Sequence, residues 1–335
     1  MKSRTKYDID LKTAQTIFQK AGLGDVNKIS PLGAGEFNAV YCVTLENKEY
    51  VLKIAPQNND GILEYERDMM RAEVYWYERM RKDTDIRVPE VYFCDFSKET
   101  IPADYFIMEK IDGKEPLKEN FTDGELDKIQ QSMAKMAASM HAVKGEKFGY
   151  IQNGLYPDWS EAIRAMTVSL IRSAKCKRRN SRLGKKLLFY IDKYEGILKK
   201  ADCSMVNFDI WTPNILVKKS GDDLLSYWID PERCFWGDRI ADFVCLECAQ
   251  TLENKTSSFE AYNAVSNEPV EANRETNIRY AVMMCYLALI QEVEKYFRYT
   301  PFMFGWWRNV FSGKFFFAKK GLEILKNDGK LTVYK

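Results

Sequence analysis

The segment Val206-Asn207-Phe208-Asp209-Ile210-Trp211-Thr212-Pro213-Asn214-Ile215-Leu216-Val217 constrains the fold more than any other part of the chain. A carboxylate, Asp209, and an amide, Asn214, stand five positions apart on a short loop. The apolar run that follows reads as a strand leading away from that loop. After a polar turn at Ser220 to Asp223, Leu225-Ser226-Tyr227-Trp228-Ile229 reads as a second strand, ending in another carboxylate at Asp230. Such an arrangement can place one base and two hard-oxygen metal ligands around a single phosphate. The alternative reading, a plain turn before a strand, explains Asp209 and Asn214 but not a third polar residue at a strand end before Pro231.

Bulk composition narrows the alternatives. A chain of 335 residues can bury a sizeable core as one large domain or two lobes. Its 50 basic and 48 acidic residues leave a formal charge of +2, which makes no electrostatic case for nucleic acid as the main partner. Locally, Lys175-Cys176-Lys177-Arg178-Arg179 with Arg172, Arg182, Lys185 and Lys186 is basic, and reads as a solvated helix and loop or a surface for an anion. The eight cysteines are scattered, and Cys245 and Cys248 lack the second pair that a tetrahedral zinc site needs. No signal peptide is read at Met1-Lys2-Ser3-Arg4, so reduced, buried thiols and a cytoplasmic location are expected. The single histidine, His141, makes a Ser-His-Asp hydrolase improbable. No apolar run reaches the roughly 20 residues that span a bilayer, so no transmembrane segment is expected.

Along the chain, a first helix is predicted from about Ile9 to Ala21. Two strands, Ala39 to Leu45 and Tyr50 to Ile54, follow as a hairpin, then a helix from about Ile62 to Arg81 and strands at Pro89 to Asp95 and Tyr105 to Met108. From Glu125 the pattern is mainly helical, with the Met-rich Ile129 to Met140 read as core and further helices near 159–173, 184–200, 238–250 and 270–297. Gly and Pro in Ile111-Asp112-Gly113-Lys114-Glu115-Pro116 mark the change of composition as a linker, and two lobes joined there would leave a cleft.

Several residues in the first part carry chemistry. Gly33-Ala34-Gly35-Glu36-Phe37-Asn38 precedes a strand, and its glycines let backbone N–H groups approach phosphate oxygens, although an ordinary turn also accounts for it. It matches neither the dinucleotide fingerprint nor a Walker loop. Lys53 stands inside the apolar run Val51-Leu52-Lys53-Ile54-Ala55, where an ammonium needs an anion unless it faces solvent at an edge. Glu73, twenty residues on, is the first candidate partner, and Glu66 on the same helical face competes. His141 reads as a structural histidine, and Asp238 as a helix cap or a brace for the loop holding Asp209. The aromatic run from Phe302 to Phe317 reads first as a packing surface, with an acceptor-pocket wall and a lipid-facing patch as alternatives.

The order of these motifs resembles the aminoglycoside phosphotransferase family, protein-kinase-like small-molecule kinases that include choline-kinase relatives. The resemblance covers most of the chain and is strongest from Leu32 to Glu73 and from Leu126 to Phe243. It implies an α+β, two-lobed protein-kinase-like fold: a small antiparallel-sheet N-lobe at 1–110 that binds nucleotide and a mostly helical C-lobe at 111–335 that carries catalysis and the acceptor. Helical regions near 155–205 and 255–335 would form the acceptor side. By resemblance, Gly33, Gly35, Phe37 and Asn38 belong to the nucleotide loop, Lys53 contacts phosphate and Glu73 is its helix partner. The stretch Tyr105 to Gly113 resembles the hinge, where the backbone at Glu109 and Ile111 would hold the purine edge and Met108 would lie near the base. Asp209 takes the catalytic-base position, while Asn214 and Asp230 take the metal positions. The implied cofactors are ATP or GTP with Mg²⁺.

One departure concerns the loop itself. The family's His-Gly-Asp is Asn207-Phe208-Asp209 here, which removes an imidazole and puts a large ring where glycine is usual. The leading expectation is a phosphotransferase acting on a hydroxyl of a small molecule, whether an aminoglycoside, another amino alcohol or a sugar. The alternative is a catalytically impaired, kinase-like nucleotide-binding or scaffold protein. A protein-serine kinase is disfavoured, because the interval from Asp230 to Gly237 is too short for an activation segment.

Overall fold

The computed structural model describes residues 7–32, 37–57, 61–221, 223–248 and 250–330. The N-lobe opens with α1 (Leu11–Lys20), whose first turn is capped by the Asp10 carboxylate accepting from the Thr13 N–H at 2.8 Å. Five strands follow in an antiparallel sheet: β1 (Lys28–Pro31), β2 (Ala39–Thr44), β3 (Glu49–Ile54), β4 (Val91–Asp95) and β5 (Tyr105–Glu109), in the spatial order β1-β2-β3-β5-β4. Lys53 therefore sits on the central strand, opposite Val40 on one side and Phe106 on the other. An edge position for this lysine is excluded. β1 is an addition to the expected hairpin; its short run pairs Lys28 to Pro31 with Thr44 to Tyr41.

The helix beneath the sheet, α2 (Met69–Asp83), begins seven residues later than the periodicity predicts. Before it, Glu66 turns back to accept from the Leu63 N–H at 2.8 Å and closes a single 3₁₀ turn at Glu64–Glu66. Asp68 then adopts a left-handed conformation, φ 57°, which breaks the helical path. The delay sets the angular position of Glu73 and Tyr77, one turn apart and both buried, on the face toward the sheet and cleft.

The C-lobe contains α3 (Asp123–His141), α4 (Trp159–Cys176), α5 (Arg182–Lys193), α6 (Glu195–Leu198), α7 (Thr256–Asn263), α8 (Arg274–Arg298), α9 (Phe304–Asn309) and α10 (Lys319–Lys326), with a π-helical stretch at Val310–Ala318. α8 is the central helix: from Ile278 to Ile290 nearly every residue is buried, because α4, α5, α10 and the π-helical stretch surround it. The expected helix near 184–200 is divided at Tyr194 into α5 and α6. Met133, Met136 and Met140 of α3 are buried among core side chains, as expected of that stretch. Among the described residues, no helix is long and apolar enough to cross a membrane.

Two small antiparallel pairs complete the lobe: β6 (Cys203–Val206) with β9 (Phe235–Asp238), and β7 (Ile215–Ser220) with β8 (Asp223–Trp228). The helix expected near 238–250 is replaced by the end of β9 and a short 3₁₀ turn, Arg239–Val244. Of that span Asp238 pairs with Cys203 of β6, and the backbone from Arg239 continues as the 3₁₀ turn. All eight cysteines are free, but Cys94, Cys176 and Cys248 are exposed, so uniform thiol burial does not hold. At Cys94 the alternation of a half-buried strand turns the thiol outward.

The start of α3 offers a direct stability test. Thr122 and Glu125 form a reciprocal capping box, with the Glu125 carboxylate accepting from the Thr122 N–H at 2.8 Å and the Thr122 hydroxyl accepting from the Glu125 N–H at 3.3 Å. Thr122→Ala is expected to lower stability by about 1 kcal/mol in urea unfolding, with an unchanged denaturant slope.

Candidate active site

The cleft is built around one buried ammonium. Lys53 Nζ donates to Glu73 Oε1 at 2.8 Å and to Asp230 Oδ1 at 2.5 Å, and Glu232 Oε2 lies 3.9 Å away. Glu66, the competing partner, is instead buried against Arg298 of α8. Asp230 follows β8 and takes a left-handed conformation, φ 62°, fixed by its N–H donating to the Tyr77 hydroxyl at 2.8 Å. Glu73 and Tyr77 thus act as a pair: one turn of α2 holds the lysine and the backbone of the aspartate that meets it.

Carboxylate oxygens of Glu73, Asp230 and Glu232 lie within 4.8 Å of one another. Three acidic groups around one lysine repel each other in a poorly hydrated place. Burial pushes Glu73 up to about 7 and Glu232 up to about 8, with Asp230 adding to both and Lys53 opposing. Lys53 remains charged, since three carboxylates outweigh the desolvation that acts against its ammonium. The excess of hard oxygen donors suits a further cation such as Mg²⁺. Glu73 Oε2 is buried without a hydrogen-bond partner among the described residues.

Asp209 and Asn214 lie on the loop between β6 and β7. Asn214 donates through Nδ2 to the Asp209 carbonyl at 3.0 Å and to Asp209 Oδ2 at 3.1 Å, which leaves its side-chain oxygen free of Asp209. The Ile229 N–H donates to the Asn214 carbonyl at 3.0 Å, so the β7–β8 register carries Asp230 back to this loop. Burial pushes the Asp209 carboxyl up; Arg233 opposes this and Asp230 adds to it. Arg233 Nε stands 4.0 Å from Asp209 Oδ2, and Arg233 Nη2 stands 3.7 Å from Glu294 Oε1.

The unusual Asn207-Phe208 pair is accommodated apart from the Asn207 amide nitrogen, which is buried without a hydrogen-bond partner among the described residues. Asn207 Oδ1 accepts from the Asp209 N–H at 2.8 Å, a local side-chain turn that an amide makes readily. Phe208 has φ 58°, a conformation costing a non-glycine residue roughly 1–2 kcal/mol. Its ring is completely buried against Phe235 and Tyr286, at centroid distances of 5.5 and 5.8 Å, and such burial is worth about 1.5–3 kcal/mol. Burial therefore compensates the backbone strain.

Below the loop, the buried Asp242 carboxylate accepts from the Phe208 N–H at 2.6 Å, the Asn207 N–H at 3.1 Å and His141 Nε2 at 2.9 Å. His141 Nδ1 meets the Tyr262 hydroxyl at 2.9 Å. Asp242 is thus the brace, and Asp238 is not: Asp238 accepts from the Ile240 N–H at 3.1 Å and from Arg279 at 3.0 Å. Three donors on one carboxylate over-determine the loop, which a residue at the entry to the 3₁₀ turn cannot reach.

The remaining sequence candidates are placed as follows among the described residues. Asn38 donates to Glu232 Oε2 at 3.3 Å, and Phe37 lies under the Arg298 guanidinium, 5.0 Å from ring centre to carbon. Gly33 and Gly35 lie outside the described residues. Met108 and Glu109 end β5; the Glu109 N–H is already donated to the Glu90 carbonyl at 2.8 Å, whereas Ile111 makes no such main-chain bond among the described residues. Glu232, Arg233, Tyr77, Asp242 and Glu294 were missed in the sequence. Only Glu232 and Arg233 carried a signal, by following Asp230 directly.

The fold and this cleft define a protein-kinase-like architecture of two lobes, an antiparallel sheet above a largely helical body. The chain belongs to the phosphotransferase enzyme family, whose model matches residues 28–254, more than half of its length. No curated protein matches it in sequence. Among solved structures, it is similar to a candidate aminoglycoside phosphotransferase from Ralstonia eutropha, at 16% identity and TM-score 0.66, covering 96% of this chain and 99% of that one. It is also similar to a candidate fructosamine-3-kinase from Haemophilus somnus, at 18% identity and TM-score 0.63, covering 94% and 95%. A microcompartment-associated aminopropanol kinase matches at 18% identity and TM-score 0.58, covering 96% and 100%. At these identities the likeness concerns the fold.

The crowded carboxylates have a measurable consequence. Unfolded, Glu232 titrates near 4.5; folded, it titrates near 8, so the native state holds the extra proton between these values. The stability contributed by that proton is fully present below pH 4.5 and is lost as pH rises through about 8. Thermal unfolding without nucleotide or metal should show this decline, and Glu232→Gln should flatten it.

Proposed function

We propose that this protein is a Mg²⁺-dependent small-molecule kinase that moves the γ-phosphate of ATP or GTP to an alcohol. The observation that carries the proposal is the meeting of Lys53 with Glu73 and Asp230 beside Glu232, a cation-seeking cluster at the mouth of the Asp209 loop. In this reading residues 1–110 hold the nucleotide and 111–335 hold catalysis and acceptor. Lys53 neutralises phosphate oxygens, and Glu73 keeps its ammonium aimed into the cleft. The Ile111 N–H is a donor available to the purine edge, with Glu109 and Met108 beside it and Phe37, Asn38, Gly33 and Gly35 forming the phosphate side.

Asp230 and the Asn214 side-chain oxygen, joined by Glu232, would hold Mg²⁺, which supplies neutralisation of charge developing on the transferred group. Asp209 accepts the proton of the acceptor hydroxyl. A buried carboxylate with a raised affinity for protons is a better base than a solvated one, and Arg233 opposes the rise. Asn214 bonds this carboxylate directly, while Asn207 and Asp242 hold the backbone that carries it, so its orientation is prepared before the acceptor arrives. The names of similar solved structures refer to an aminoglycoside, a fructosamine and an aminopropanol, and support an acceptor that is small and hydroxylated.

The second reading, a nucleotide-binding protein without transfer, draws on Asn207-Phe208. The complete burial of Phe208 and the bond from Asn207 to Asp209 favour transfer, since both keep the loop ordered. With purified protein, Mg²⁺, labelled ATP or GTP and a panel of amino alcohols, sugars and aminoglycosides, Asp209→Ala should lower transfer by at least about 100-fold while nucleotide binding persists. Equal transfer by wild type and variant would remove Asp209 from the reaction. Nucleotide binding that is indifferent to Mg²⁺, with no turnover on any acceptor, would favour the scaffold.

A further inference from the structure

The C-terminal aromatic run does not serve as a packing surface along its outer side. Phe302 is 98% exposed and Phe304 82%. Trp307, Phe311 and Phe315, at helical spacing, are all about half exposed or more and form one ridge, with successive ring centroids 6.3 and 5.7 Å apart. The inner side of the same segment is occupied: Asn309 donates to Glu294, and Phe317 is buried in the core. An exposed aromatic surface of this extent is uncommon on a monomer and marks an interaction site.

Beside the ridge, between α5, α8 and the π-helical stretch, runs a groove of about 340 Å³. Its floor is apolar, with Leu183, Val310, Ala318 and Leu322. Its walls carry five cations, Arg182, Lys186, Lys295, Lys314 and Lys319, against a single carboxylate, Glu292. None of the five forms an ion pair with a carboxylate among the described residues. Lys295 is pulled below the ordinary lysine range by burial, and Lys314 and Arg179 pull it further while Glu292 opposes them. The exposed end of α4 extends the cationic rim: Lys177 lies over Phe297 at 4.6 Å and Arg179 over Tyr296 at 5.3 Å. The whole chain carries only +2, so this concentration of charge belongs to one face.

We propose that this face docks on an anionic phospholipid surface, with Trp307, Phe311 and Phe315 entering the headgroup boundary and the groove cations taking lipid phosphates. Charge decides the occupant. A second copy of the chain would set two uncompensated basic groups against each other, whereas an anionic bilayer neutralises the groove and covers the rings at once. Aromatic rings supply the apolar part of such binding, and lysine and arginine stems lie along apolar surface while their charges reach the phosphates. The proposal is independent of the kinase reading.

Vesicle flotation of the full chain tests it, with phosphatidylcholine vesicles compared against vesicles containing about one-third phosphatidylserine. Wild type should float with the anionic vesicles only, and added salt should release it. Each neutralised cation should weaken partition roughly five-fold, so the double variant Lys186→Ala with Lys314→Ala should lose about thirty-fold. Trp307→Ala with Phe311→Ala should abolish flotation even at low salt. All altered side chains are at the surface, and unchanged thermal unfolding establishes that each variant is folded. Absence of flotation, or equal flotation with neutral vesicles, would overturn the proposal. So would self-association or nucleic-acid binding removed by the same substitutions, which would assign the face to another partner.

Discussion

A single buried ammonium organises the molecule. Lys53 sits on the central strand of the N-lobe sheet, where an unpaired charge would be prohibitively costly. Its partners come from two separate elements, Glu73 from α2 and Asp230 from the end of β8, so meeting the lysine's electrostatic demand also brings the lobes into register. Tyr77 strengthens the junction by receiving the Asp230 N–H one turn from Glu73. The arrangement over-supplies negative charge, which leaves Glu73 and Glu232 with a strong affinity for protons or for another cation. A junction that holds the fold together and a cluster suited to Mg²⁺ and phosphate are therefore one set of side chains.

The loop bearing Asp209 depends on a second buried charge. Asp242 gathers three donors, two from the loop backbone and one from His141, and Tyr262 completes the chain. With the backbone held from below, the residues before Asp209 are free to differ in chemistry. Asn207 supplies a side-chain acceptor to the Asp209 N–H, and Phe208 uses its ring to offset its backbone strain. A large side chain at a left-handed position is tolerable here because Phe235 and Tyr286 leave room for the ring. The support of Asp209 is thus distributed between local hydrogen bonds and distant packing.

Much of the N-lobe was legible because its chemistry is local. A lysine within an apolar strand requires an anion, and Glu73 and Glu66 on one face of the following helix were the candidates to supply it. Choosing between Glu66 and Glu73 depended on where the helix starts, and the turn closed by Glu66 and Asp68 delays α2. Periodicity reports a face but not the residue at which a helix begins. Asp242 and Glu294 were not singled out for a different reason: the Phe208 N–H that Asp242 accepts from and the Arg233 guanidinium that faces Glu294 lie far away in the chain. The exposed ridge at Trp307, Phe311 and Phe315 was hidden likewise, since an aromatic run has the same composition whether its outer side is covered or open.

By itself, the sequence determined the ordered set of chemistry-bearing groups: a lysine that had to find a carboxylate, a loop with Asp209 and Asn214, and a strand ending in Asp230. These follow from residue type and short spacing, which govern strands, turns and the cost of isolated charge. Tertiary structure alone decided which glutamate meets Lys53, that Glu232 joins the cluster, and that Asp242 rather than Asp238 carries the loop. Those outcomes depend on distances between elements far apart in the chain. Such distances are set by packing of α2 and α8 around the core, and no local pattern of residues encodes them.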